Sequence, residues 1–420
     1  AKECPQVHLF EREISEQFGL VFDGHPWMKP VRFQEPLPSC LPRIRERPLP
    51  SVMDYYRVEG EEIHEVAVGP VHAGIIEPGH FRFQCYGEQV FHLEISLGFQ
   101  HRGIEAGLLS GPFKNTLTRM EAAAGDTTIG HTEAYAINVE AMTDARVPPR
   151  AEVIRGIALE LERLANHTGD LGAIAGDVGY LPTSSFCGRI RGDFLNMTAL
   201  LCGNRFGRGL ITPGGLQFDV DDALISELRK RLAAARSDLT NAVELLWNTP
   251  SVMGRLENTG VLSEEDARAI GLVGPAARAC GINFDVRRDF PFGIYRMTQI
   301  PVVTVSTGDV HARTLVRWME AEKSMDFIDE QIRQLPGGEI RGTGSSLSPN
   351  HLSVSLTEGW RGEICHVAIT DSAGKFARYK ITDPSFHNWS GLALALRGQQ
   401  ISDFPLCNKS FNLSYCGFDL

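Results

Sequence analysis

Residues 151–171 read AEVIRGIALELERLANHTGDL, and their periodicity decides the fold. Val153, Ile157, Leu161 and Leu164 recur at three- and four-residue intervals, the spacing that lays one apolar stripe along a helix. The stretch 219–247 repeats the pattern with Leu224, Leu228, Leu232, Leu239, Val243 and Leu246. Asp219, Asp221 and Asp222 precede it, and acids suit a helix N-terminus. This leucine spacing is core spacing and implies no cofactor. Thr212-Pro213-Gly214-Gly215 makes a sharp break between helices, and a further helix is predicted over 310–334, closed by Pro336-Gly337-Gly338. Residues 100–250 therefore read as mostly helical.

Outward from this core the pattern changes. Residues 61–96 read as three strands, VAVGPVHAGI, HFRFQCYG and QVFHLEISLGF, with alternation visible in His80-Phe81-Arg82-Phe83. Gly74 and Pro78-Gly79 punctuate the loop between the first two. The tail 363–420 predicts strands at EICHVAITDS and FARYKITD and a helix near 388–398. The expected fold class is α+β: a mostly helical core with a small antiparallel β part from the N- and C-terminal regions. Residues 1–33 read as a short charged helix and a turn at Asp23-Gly24-His25-Pro26. Residues 34–50 hold five prolines and read as a linker, leaving 51–420 as the main domain.

Composition narrows the function. The net charge of −11 argues against nucleic acid as a partner. No run of eighteen uncharged apolar residues occurs, so membrane association is expected through partner subunits. The first residues are too charged for a signal peptide, and with no initiator Met the chain is read as a fragment or a processed form. No Gly-rich dinucleotide loop follows a strand, so NAD is not expected to bind here. Cysteines stand at 4, 40, 85, 187, 202, 280, 365, 407 and 416, with no CxxC or CxxxC among them. Cysteine-built metal sites usually show such close pairs. These nine fit reduced structural thiols better than a metal site or a disulfide framework.

Several segments, in order, carry a resemblance. They are Gly69-Pro70-Val71-His72 with Glu77-Pro78-Gly79-His80-Phe81, then Leu97-Gly98-Phe99-Gln100-His101-Arg102-Gly103-Ile104-Glu105, then Glu162-Arg163-Leu164-Ala165-Asn166-His167 with Asp177. Thr212-Pro213-Gly214-Gly215, Gly274-Pro275, Gly281-Ile282, Asp285-Val286-Arg287, Asp309, Arg313, Arg317 and Glu358 through Glu363 follow. The ordered set resembles the large subunit shared by energy-converting, membrane-bound NiFe hydrogenases and complex I. His8-Leu9-Phe10-Glu11-Arg12-Glu13, Phe18-Gly19 and Gly24-His25-Pro26 resemble the C-terminal end of the small hydrophilic subunit, a fusion typical of the formate-hydrogenlyase-like branch.

The resemblance implies a hydrogenase large-subunit-like fold and also identifies what is missing. NiFe hydrogenases hold the metals with two thiolate pairs. The first pair's stretch is here Ala122 to His131, with Ala124 and Thr127 at the cysteine positions. The second is Asn412 to Asp419, with Ser414 and Gly417 there, while Cys407 and Cys416 are out of register. Alanine, glycine and hydroxyls do not replace four thiolates, so no metal site is expected.

In complex I a loop His, a Tyr and a supporting Asp serve quinone. His72, His80 and Asp177 match the first and last, but no tyrosine occurs between Tyr86 and Tyr135, so quinone is only a possible ligand. Glu77 matches a proton-passing Glu of energy-converting hydrogenases. The candidate catalytic set is Glu77, His72, His80 and Asp177. Asp126, Thr127, Thr128, His131 and Ser414 are expected around a pocket. For Asp126 to Thr128 the alternative is a helix cap, which these residue types favour, and for His131 it is core packing. His101 and Arg102 are expected near a partner's iron–sulfur cluster, or in an Arg–Glu pair.

The family implies partners: a small iron–sulfur subunit, antiporter-like membrane subunits and a membrane anchor, with the chain peripheral on the cytoplasmic face. The expected function is an oxidoreductase subunit coupling electron transfer to proton or ion movement. Two alternatives stand beside it, a non-redox scaffold in the same complex and an active NiFe hydrogenase.

Overall fold

A computed structural model describes residues 1–34, 49–71 and 77–420. His72 and Cys40 lie outside the described residues. The periodic stretch at 151–171 is part of one long helix, Pro149–Asp177. Proline at its first position costs nothing, because that N–H has no partner within the helix. The helix is buried on nearly every side, with Ile157, Leu161 and Leu164 packed against Phe194, Leu239 and Met325. Those partners come from helices Leu181–Cys202, Asp222–Trp247 and Val310–Arg333. Asp221 caps the second of these by accepting from Leu224 N, and Asp309 caps the third by accepting from Ala312 N.

Two three-stranded antiparallel sheets flank this core. The N-terminal sheet is Ile63–Val68, His80–Tyr86 and Gln89–Ser96, paired in chain order. The C-terminal sheet is Leu352–Gly359, Gly362–Thr370 and Phe376–Thr382, also in chain order. It covers helix Thr128–Thr143, where Ser355 Oγ donates to Ala134 O and Thr357 Oγ to Gly130 O. The N-terminal sheet packs on the tail, with Phe81 against Trp389, Phe404 and Tyr415.

The α+β expectation holds, with three differences of detail. The C-terminal sheet begins at Leu352, because Leu352–Gly359 pairs with the strand that was predicted first. The break at 212–215 is a small hairpin, Ile211–Thr212 against Gly215–Leu216. The tail carries a further helix, Phe404–Phe411. Residues 1–34 pack closely on the rest. Gln6 Nε2 donates to Arg268 O at 2.7 Å, and buried Arg32 donates to Phe418 O near the end of the chain. Among the described residues no helix is long and apolar enough to cross a membrane.

Candidate functional site

The stretches around 124–127 and 414–417 stand face to face, joined by two arginines. Arg102 donates to Ala122 O at 2.6 Å and Ala123 O at 2.7 Å, and reaches Cys416 O at 3.4 Å. It is held from the first stretch and touches the second. Arg361 lies at the turn between the first two strands of the C-terminal sheet. It takes both oxygens of Asp126, at 2.5 and 2.8 Å, and donates to Asn412 O. Its guanidinium lies 3.9 Å from the centre of the Trp360 ring, whose Nε1 donates to Asp126 O. The turn can approach because Gly274 faces it: a Cβ there would collide with the Arg361 carbonyl.

Thr127 occupies the N-cap position of helix Thr128–Thr143, yet its side chain caps nothing. The cap comes from another helix. Glu162 accepts from Ile129 N at 2.7 Å and Gly130 N at 3.2 Å, satisfying amides that the first turn leaves unpaired. Burial pushes the Glu162 carboxyl up to about 8, against those two hydrogen bonds. Thr127 Oγ is left to Asp126 and Arg361, at 3.4 and 3.5 Å, and Thr128 Oγ donates to Glu121 O.

Ser414 caps the last helix, Tyr415–Phe418, by accepting from Gly417 N at 2.9 Å, and its hydroxyl lies 3.3 Å from Cys416 Sγ. Gly417 has no room for a side chain. A Cβ there would lie 2.7 Å from the carboxyl carbon of Asp383. The residues therefore do not fit a NiFe group. Two of four positions carry no donor, the Ser414 oxygen is committed to a cap, and a carboxylate fills the space beside the fourth. Asp383 accepts from His131 Nε2 at 3.0 Å, and His131 Nδ1 lies 3.0 Å from His366 Nε2. His366 Nδ1 is in turn 3.0 Å from the Tyr379 hydroxyl. Histidine and arginine beside it hold the Asp383 carboxyl below its usual range despite complete burial.

Glu77 reaches this site: its carboxylate accepts from Tyr415 N at 3.1 Å. His80 does not join it. Its Nδ1 lies 3.1 Å from Gly69 O and its ring faces Tyr55, on the opposite side of the strand from Phe81. Burial pushes the imidazole down. Asp177 ends the central helix, half-buried near Lys409, and burial raises its carboxyl. Two turns earlier, Asp170 does reach the site, accepting from Arg317 Nε at 2.6 Å and from Asn412 Nδ2. His101 Nδ1 lies 3.0 Å from Asp419 O. Among the described residues Arg102 pairs with backbone carbonyls and no carboxylate, so the Arg–Glu pair does not form, and Glu105 takes Lys380 at 2.8 Å. Asp170, Asp383 and His366 were missed in the sequence. Asp170 alone had a signal, lying one turn beyond the Glu162–His167 motif.

Residues 177–353 match the family described as respiratory-chain NADH dehydrogenase, 49 Kd subunit. The chain is 30% identical over 353 residues to the carbon monoxide-induced hydrogenase of Rhodospirillum rubrum, covering 83% of this chain and 97% of that protein. It is 30% identical over 418 residues to formate hydrogenlyase subunit 5 of Escherichia coli, covering 96% of this chain and 74% of that one. Its fold is like that of a chain in the membrane-bound sulfane sulfur reductase, an archaeal respiratory membrane complex, with TM-score 0.80 and 23% identity over 87% of this chain and all of that one. The chain belongs to the family of large subunits shared by complex I and the energy-converting hydrogenases. It is a subunit of a complex I-like, hydrogenase-related oxidoreductase complex.

Proposed function

We propose that this subunit receives electrons from a partner's iron–sulfur cluster and passes them to a small acceptor. Reduction of that acceptor is coupled to proton or ion movement in membrane subunits, with no NiFe centre of the chain's own. The observation that carries the reading is the rebuilt metal position: Asp126–Arg361, Asp383–His131 and the Glu77 carboxylate converge on the two stretches that hold thiolates in hydrogenases. Polar side chains rather than apolar ones occupy that position, which counts against a scaffold filled by apolar groups. Arg102 keeps a partly exposed guanidinium beside both stretches, suited to a docked partner cluster. The partners assigned are a small iron–sulfur subunit, antiporter-like membrane subunits and a membrane anchor, on the cytoplasmic face.

A quinone-class acceptor is the family's offer, but Phe113 lies exposed in the stretch that lacks a tyrosine, and no step is routed through quinone. Glu77 is assigned to deliver or receive the proton. The test uses the intact complex in closed vesicles, driven by a reduced viologen with a short-chain quinone as acceptor. Glu77→Gln should leave complex assembly intact and lower ion movement about a hundredfold or more, the cost of losing one general acid–base group. Unchanged ion movement would remove Glu77 from the coupling.

A further inference from the structure

Behind the Glu358–Arg361 turn lies a sealed core of charge that the site chemistry above does not use. The central helix contributes Glu160, Arg163 and His167, and helix Gly274–Arg278 contributes Arg278. Asp285 and Arg287 come from the next short helix, Glu320 from helix Val310–Arg333, and Glu358 from the first C-terminal strand. All eight are buried. Three guanidiniums face four carboxylates, and an uncompensated charge in such a place is costly. Neutrality requires one further proton.

Hydrogen bonds show where it goes. Glu160 is held by Arg163, Arg287, the Tyr295 hydroxyl and the Ser324 hydroxyl. Asp285 accepts from Arg287 Nε and Nη2 and from the Arg287 amide. Glu320 takes Arg278 Nε at 2.7 Å and His167 Nε2 at 2.9 Å, with Arg163 at 3.7 Å. Glu358 has one guanidinium N–H, from Arg278 at 2.8 Å, and one amide, from Val286 at 3.1 Å. It also shares Arg278 with Asp285, 3.4 Å from the same nitrogen. A proton on His167 instead would leave Nδ1–H without an acceptor, since that atom is buried and has no hydrogen-bond partner among the described residues. The neighbouring Asp170–Arg317 and Asp126–Arg361 pairs are each balanced.

We infer that Glu358 is a proton-binding site, carrying the one exchangeable proton of this charged core. Burial and the Asp285 charge raise its carboxyl to about 7, so the proton is exchangeable near neutrality. Glu358 and Arg361 share one tight turn, and the Glu358 carbonyl is itself held by Arg163 at 2.7 Å. Loss of the proton therefore adds a negative charge three residues from the arginine that joins the two site stretches. This deepens the proposed proton coupling and rests on that reading for its purpose, but its test does not depend on electron transfer.

Infrared titration of the purified complex from mildly acid to mildly alkaline pH should show a protonated-carboxyl C=O band. Glu133 and Glu162 contribute bands of their own, so the component assigned to Glu358 is the one that shifts in D2O, loses its intensity with a midpoint near neutrality and is missing from Glu358→Gln. A band of undiminished intensity in Glu358→Gln would overturn the assignment, as would a wild type with no titrating band. If Glu358→Gln does not assemble, Glu358→Asp decides. A moved midpoint supports the assignment and an unmoved one refutes it. Failure of ion coupling with the band intact would sink the proposed function and leave the proton site standing.

Discussion

Replacing Arg361 with methionine removes the strongest tie between the two site stretches while keeping an apolar stem of similar length. Arg361 holds both Asp126 oxygens and the Asn412 carbonyl, and lies over Trp360. Breaking a buried ion pair from one side costs about 3–5 kcal/mol. Asp126 is a third exposed, so water takes up part of the freed charge and the loss falls to about 2–3 kcal/mol. The loss is local, because the helices beneath keep their own core. Hydrogen exchange in the intact complex is the assay. An opening free energy lowered by about 2–3 kcal/mol speeds exchange by roughly 30- to 150-fold where opening limits it. The acceleration should be confined to amides of 124–131 and 412–419. Adding Asp126→Leu should recover part of the protection, because the orphaned carboxylate then disappears. Exchange unchanged in both stretches, or raised evenly over the whole chain, would refute the view that Arg361 joins them.

Two further outcomes follow from local geometry. Gly417→Ala places a methyl 2.7 Å from the Asp383 carboxyl carbon and should destabilise the tail by about 1–3 kcal/mol, seen as faster exchange over 412–419; a neutral result would mean that the space beside Asp383 is open. Glu133 is buried with Oε2 lacking a hydrogen bond, and burial raises its carboxyl to about 7. Its ionisation is harder in the folded state, so a penalty of about 3 kcal/mol builds as pH rises from about 4.5 to about 7. Glu133→Gln should match wild-type thermal stability at acid pH and exceed it at alkaline pH, and equal curves at both would show that Arg155, 3.5 Å away, neutralises the carboxylate fully.

Much of the fold was legible because it rests on periodicity. The Val153–Leu164 stripe, the Leu224–Leu246 stripe and the alternation at His80–Phe83 each encode one buried face, and each became the element expected. The order of the family segments also located the two facing stretches. What escaped depends on partners far apart in the chain. Thr127 has the right residue type for a cap, yet Glu162 supplies the cap from another helix, and no local pattern reports that competition. Asp383 and His366 stand 252 and 235 residues from His131, so their contact exists only after the sheet covers the helix. His80 was grouped with Glu77 by nearness in sequence, but the strand's alternation turns it to the other side. Arg102 finds backbone carbonyls in place of a carboxylate, because the chain from Ala122 to Ala123 and the tail at Cys416 meet at its side chain.

The proposed function has this large subunit work without a NiFe centre, its metal position rebuilt from Asp383, Arg361 and Asp126. The most direct test is the metal content of the intact, active complex, read by elemental analysis. The complex should hold iron with acid-labile sulfide from the partner subunit and nickel far below one atom per complex. Nickel at one atom per complex, lost on substitution of Cys407 or Cys416, would contradict it.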